Sequence, residues 1–165
     1  MKKKIVILVT IVVLSILILL AMTFLKDDYS FVNVQTSEIM NNITTTLEKD
    51  FPPMLELDDL AVIETYGIDV EILENYIIKI PIMNIRADEI AIVKVKDIKN
   101  IGNILKKFNE RVVTVQKTFE NYLDDQYSLA INPLVVTKGK YVLMSISEKN
   151  EIIENIFDSY FVLNN

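Results

Sequence analysis

The stretch Glu89–Tyr122, EIAIVKVKDIKNIGNILKKFNERVVTVQKTFENY, decides the fold, because its hydrophobic period changes partway along. From Glu89 to Lys96 the side chains alternate. Ala91, Val93 and Val95 share one face, and Ile90, Ile92, Lys94 and Lys96 share the other. A period of two is a strand. Its second face passes from apolar to charged, so the strand is expected to leave cover there. After Asp97, a residue suited to capping, the spacing becomes three and four. Ile101, Ile104, Leu105, Phe108, Val112, Val115, Phe119 and Tyr122 form one stripe. That spacing predicts a long helix over Ile98–Leu123 with this stripe on a core. Arg111 and Gln116 border the stripe; Arg111 reads as an aliphatic stem on the core with its head in water.

Upstream, Thr36-Ser37-Glu38 opens a helix with Thr36 or Ser37 as N-cap and Ile39, Met40, Ile43 and Leu47 as its apolar stripe. Pro52-Pro53 stops it. Asp58 can cap a short helix through Tyr66, and Gly67 suits the left-handed position that ends it, with Ile68 making the apolar contact that follows. Asp69 can then cap a second short helix, Val70–Glu74. Tyr76–Met83 reads as a strand whose Pro81 argues for an edge or an exposed side. Downstream, Leu134–Thr137 and Tyr141–Ile146 flank Lys138-Gly139-Lys140, a hairpin signal. Ser147 can cap a final helix with Ile152, Ile153, Ile156, Phe157 and Tyr160 on its apolar face. The fold expected is α+β: a small, mostly antiparallel sheet with the long helix and the C-terminal helix on one face.

Residues 5–25, IVILVTIVVLSILILLAMTFL, carry no charge. A bilayer core about 30 Å thick calls for roughly 20 apolar residues. A cleaved signal peptide would have a shorter apolar run and a small-x-small exit, and Ala21-Met22-Thr23 is a poor one. Cytoplasmic lysines and an uncleaved transmembrane anchor are therefore expected over residues 1–25, with the span itself at 5–25, then a juxtamembrane connector over 26–35 and a folded domain over 36–165. Lys2, Lys3 and Lys4 place the N-terminus in the cytoplasm and the domain outside it, as a single-pass protein of the cell membrane.

Composition excludes more than it assigns. Of 17 basic residues, three precede the anchor, so the other 14 face all 23 acidic ones, a balance of −9. Such a domain is repelled by nucleic acid and by anionic lipid headgroups. With neither His nor Cys in the 165 residues, the chain cannot assemble a Ser-His-Asp or Cys-His triad, a disulfide or a thiolate metal site. No metal, cofactor or catalytic residue is assigned. Abundant Ile, Lys and Asn give the chain a bacterial, AT-rich character. Asn42-Ile43-Thr44 is a formal glycosylation sequon, common by chance.

Tyr122–Tyr127, YLDDQY, carries the most conspicuous acidic pair. Adjacent side chains on a helix diverge by about 100°, which ill suits a catalytic carboxylate pair held about 5 Å apart. The capping reading has Tyr122 ending the apolar stripe, Asp124 capping a short helix and Asp125 favouring the dipole in its first turn. Cation binding and catalysis are the other readings. Asp58-Asp59 repeats the form at another helix start.

The run Ala87–Asp97, then Arg111, Phe119 and Tyr122, then Gly139-Lys140-Tyr141-Val142 and a closing amphipathic helix, resembles the uncharacterised bacterial domain of unknown function 4358, found mainly in Clostridia and their relatives. Tyr66-Gly67-Ile68-Asp69 also fits it, and the resemblance covers residues 36–160. It implies a secreted, lipid-anchored or membrane-anchored protein. Many members begin with a lipobox Cys; this chain has none, so anchoring falls to the helix. It implies no activity and supplies no catalytic residue. Two functions are therefore carried forward. One is a non-catalytic binding or assembly module at the bacterial cell envelope, with an envelope protein as partner. The other is a cell-envelope hydrolase using carboxylates from distant segments, Asp58, Asp88 and Asp125.

Overall fold

The computed structural model describes residues 33–162. Five strands, β1 (Met54–Glu56), β2 (Leu73–Pro81), β3 (Glu89–Val95), β4 (Leu134–Lys138) and β5 (Tyr141–Ile146), form one sheet in the order β1-β2-β3-β5-β4. Every neighbouring pair is antiparallel. Among the described residues five α-helices accompany it: α1 (Thr36–Thr46), α2 (Asp59–Tyr66), α3 (Ile101–Phe119), α4 (Asp124–Ala130) and α5 (Asn150–Ser159). The α+β class is thus as expected. β1 carries no sequence signal, because three residues between Pro53 and a capping Asp are too few to show a period.

The helices do not share a face. On one side of the sheet, Ala91, Val93 and Val95 of β3 meet Ile104, Phe108, Val112, Val115 and Phe119 of α3, together with Val62 and Tyr66 of α2. On the other, Ile90 and Ile92 of β3 and Tyr141 and Leu143 of β5 meet Ile39, Met40 and Ile43 of α1 and Ile153 and Phe157 of α5. The long helix and the C-terminal helix therefore lie on opposite faces, and the fold has three layers. Nor does β3 leave cover where its second face turns from apolar to charged at Lys94. Lys94 is buried: its ammonium donates to Glu74 Oε1 at 2.6 Å and Asn33 Oδ1 at 2.7 Å. A lysine with both acceptors supplied costs far less to bury than an unpaired one.

Local signals place most element ends. Asp58 Oδ1 accepts from Ala61 N at 2.9 Å, and Gly67 at φ 62° closes α2. Asp69 caps only a single 3₁₀ turn, Val70–Ile72, because Leu73 and Glu74 already belong to β2. Asp97 also caps a 3₁₀ turn, through Lys99 N, and α3 proper begins at Ile101. It ends at Phe119 rather than Leu123 because Asn121 takes φ 60°, a conformation that Asn tolerates and a helix does not. Tyr122 therefore leaves the stripe and is exposed. Neither Thr36 nor Ser37 is an N-cap; Gln35 occupies that position, and Thr36 N donates to Asn75 Oδ1. Ser147 is not the N-cap of α5 either; Lys149 holds that position, and Ser147 Oγ accepts from Lys149 N in the turn before the helix. Gly139 at φ 55° turns the β4–β5 hairpin, with Lys138 opposite Tyr141.

Among the described residues no helix is long and apolar enough to cross a membrane. The anchor expected over residues 5–25 lies outside them.

Candidate functional site

The chain contains 15 lysines and two arginines, and both arginines reach the same place. Glu89, the first residue of β3, points with Ala91 and Val93 toward α3. There Arg111 binds it with Nε at 2.9 Å from Oε1 and Nη2 at 2.7 Å from Oε2. The Tyr66 hydroxyl of α2 donates to the same Oε1, and the guanidinium lies 5.6 Å from the Tyr66 ring centre. Glu89 is 1% exposed, so this is a buried, fork-to-fork ion pair of the kind Arg makes and Lys cannot. Burial first, and then the Glu89 carboxylate, push the Tyr66 hydroxyl well above its ordinary pKa. Burial alone would lower the pKa of Arg111, but the hydrogen bonds to Glu89, the charge of that carboxylate and the Tyr66 hydroxyl together more than offset it and raise it. The expectation that Arg111 keeps its head in water is overturned: a buried partner on β3 drew it in.

Three residues before Glu89, Arg86 Nε donates to buried Asp88 Oδ2 at 2.8 Å. That hydrogen bond is the main reason the pKa of Arg86 is raised. The loop carrying it, residues 82–88, is fixed at several points. Ile82 N donates to Pro53 O, Arg86 N to Met83 O, and Ala87 N to Gln126 Oε1 of α4 at 2.9 Å. Gln126 is oriented in turn by Asp125 Oδ2, and Gln116 Nε2 ties α3 to Ala130 O of α4. A loop held this way still presents large apolar side chains to solvent: Ile82 is 65% exposed, Met83 45% and Ile85 48%. Between the loop and the C-terminal half of α3 lies a cleft of about 250 Å³, lined by Ile80, Met83, Arg86, Glu89, Arg111 and Phe119 among others.

The sequence-flagged acids fall in different places. Asp58 remains at the start of α2 as its cap. Asp88 and Asp125 are both brought to Arg86, which feels the charge of each. Asp124 is not a cap: Leu123 occupies the N-cap position with no side-chain bond, and both Asp124 and Asp125 lie in the first turn of α4. The hydrogen bond from Gln126 is the main cause holding the Asp125 carboxyl below its usual pKa. A second, more open hollow of about 450 Å³ has Asp125, Glu148 and Glu151 on its walls. Among the described residues no three acidic side chains converge as metal ligands would.

Chemically, the Glu89 cluster is a closed circuit. Its carboxylate already accepts from a guanidinium and a phenol, which leaves it poorly placed to take a proton from a substrate. What the site offers is a rigid, apolar-lipped cleft with guanidinium groups in its wall. The reading of Arg111 as a solvated side chain and of Glu89 as a strand start hid it. The available signal was compositional: in a lysine-rich chain, two arginines stand out as positions where planar, bidentate geometry matters.

A family model described as Domain of unknown function (DUF4358) matches residues 47–147. This is more than half of the chain, and the chain belongs to that family. The match spans the cleft whole, from before α2 to the end of β5. No curated protein and no solved structure matches the chain.

Proposed function

We propose that this family member is a binding module, held at the outer side of a bacterial cell membrane by an N-terminal helix over residues 5–25, and that it acts without catalysis of its own. One observation carries the binding reading: the loop that exposes Ile82, Met83 and Ile85 is braced by Arg86–Asp88 and Ala87–Gln126 rather than left loose. Large apolar side chains held rigidly beside a cleft are what a partner surface requires. At about 250 Å³ the cleft falls below the ~300–1,000 Å³ of small-molecule pockets. It suits one or two side chains of a polypeptide, so the partner is an envelope protein. The charge-free run and its three leading lysines support the location.

Photocrosslinking in the native membrane tests this. A photoreactive residue in place of Met83 should give a discrete protein adduct, and one in place of exposed Lys106 on the outer side of α3 should not. Adducts from both positions, or from neither, would overturn the reading.

The hydrolase reading keeps one observation in its favour, the hollow walled by Asp125, Glu148 and Glu151. A general acid needs a raised pKa, and the pKa of Asp125 is lowered. Full cellular function of Asp125→Asn would end that reading.

A further inference from the structure

We propose that the free edge of β4 is a second docking surface, one that adds an extended segment of a basic polypeptide as a sixth strand. The surface lies apart from the cleft and does not require that the cleft be filled.

The sheet ends at β1 on one side and at β4 on the other. The β1 edge is blunt: it has three residues and follows Pro52-Pro53, neither of which has an amide to offer. β4 is built differently. Lys138 stands opposite Tyr141 across a two-residue turn, so those two residues exchange hydrogen bonds. Alternation along the ladder then turns the amides and carbonyls of Val135 and Thr137 away from β5. Among the described residues no strand lies beyond them. Leu134, Val135 and Val136 are only half-buried, and no charge interrupts the strand before Lys138. Such an edge is a template for another chain.

Charge selects the occupant. α5 runs beside β4 in the same direction. Asn150 Nδ2 donates to Asn132 O at 2.8 Å just before the strand, and Lys138 Nζ meets Asp158 Oδ2 at 3.2 Å at its end. Glu151, Glu154 and Asp158 recur at helical spacing, so they line the flank of α5 that Asp158 turns to β4. The hollow at the start of the strand, with Asn132 and Asn150 in its wall, adds Asp125 and Glu148. Against these five carboxylates stands Lys138. The other cations nearby are balanced by acids of their own, Arg86 by Asp88 and Lys149 by Asp50. Leu134 and Val136 face the α5 side, and alternate side chains of an added strand would lie beside them. The acidic row is ~10 Å long, and alternate strand side chains stand ~7 Å apart, so the row meets two of them. A segment with lysine or arginine at every second position fits that face. A two-fold pairing of β4 with a second copy would instead set two acidic rows on one face of the sheet, where they repel.

The probe is a synthetic peptide of alternating valine and lysine, added at low salt to the isotope-labelled full chain in a non-ionic detergent. Exchange of the Val135 and Thr137 amides should slow several-fold. A peptide of alternating valine and glutamate should need at least about ten-fold more to do the same. Glu151→Gln with Glu154→Gln should weaken the lysine peptide several-fold and leave the thermal melt near that of the parent. Thr137→Pro removes one outward amide at an exposed edge position, where proline is tolerated, and should abolish the slowing at Val135. If that variant does not fold, the glutamine pair decides. No slowing, equal action of the two peptides, or indifference to the glutamine changes overturns the proposal, as does slowing that survives in a folded Thr137→Pro chain. Slowing that grows with protein concentration and needs no peptide also overturns it, by giving the edge to a second copy.

Discussion

Removing one member of the Glu89–Arg111–Tyr66 cluster strands the others in a dry environment. Arg111→Met should therefore cost about 3–5 kcal/mol by leaving a buried carboxylate without its partner. Adding Glu89→Leu should recover most of that loss, since an apolar pair of similar volume suits the same site. A denaturant melt of the two variants checks this, and a double variant no more stable than the single one would contradict it. Tyr76 offers a pH test nearby. Its pKa is pushed up to about 12, by burial first and then by the hydrogen bond to Asp59. A raised pKa in the fold means that the unfolded chain ionises first. Stability is full below about pH 10 and should fall as pH rises through 10 toward 12. Tyr66 adds a loss in the same direction. Unfolding free energies measured at intervals across that window should show a shallower fall in Tyr76→Phe than in the parent chain.

At the scale of elements, the two faces of the sheet are separate cores, so their losses should add. Phe108→Ala beneath α3 and Phe157→Ala beneath α5 should each cost about 3–5 kcal/mol. The double variant should equal the sum to within about 0.5 kcal/mol, because no partner is shared. The caps divide in the same quantitative way. Asp58→Ala should cost about 0.5–2 kcal/mol, since a backbone N–H loses its acceptor. Asp124→Ala should stay within about 0.5 kcal/mol of the parent, since no such bond exists. Thermal melts distinguish the pair. These elements were largely legible in the sequence, because strand and helix periods and the Asp58 and Gly67 signals are local. Sidedness was not. Lys94 looks like a solvent residue until Asn33 and Glu74 arrive from 61 and 20 positions away. The acidic pair of YLDDQY misled for a related reason: the left-handed Asn121 shifts the helix start by one residue, so Leu123 takes the cap position. The cleft was the least legible part, since its two ion pairs join β3 to α3 and a loop to itself, contacts that no periodicity encodes.

For the whole molecule, the chain entry, bonded to one end of the sheet through Asn33 and Thr36, and the apolar-lipped cleft at the other end make an axis along the strands. Occupation of the cleft is the claim on which the account turns. Amide hydrogen exchange of the full chain, compared between its native membrane and the purified protein in detergent, tests it most directly. Exchange should be slower in the membrane over residues 82–87 and 115–119, which line or border the cleft, with no change over residues 103–107 on the far end of α3. Equal rates at the cleft in both preparations, or slowing confined to residues 103–107, would contradict it.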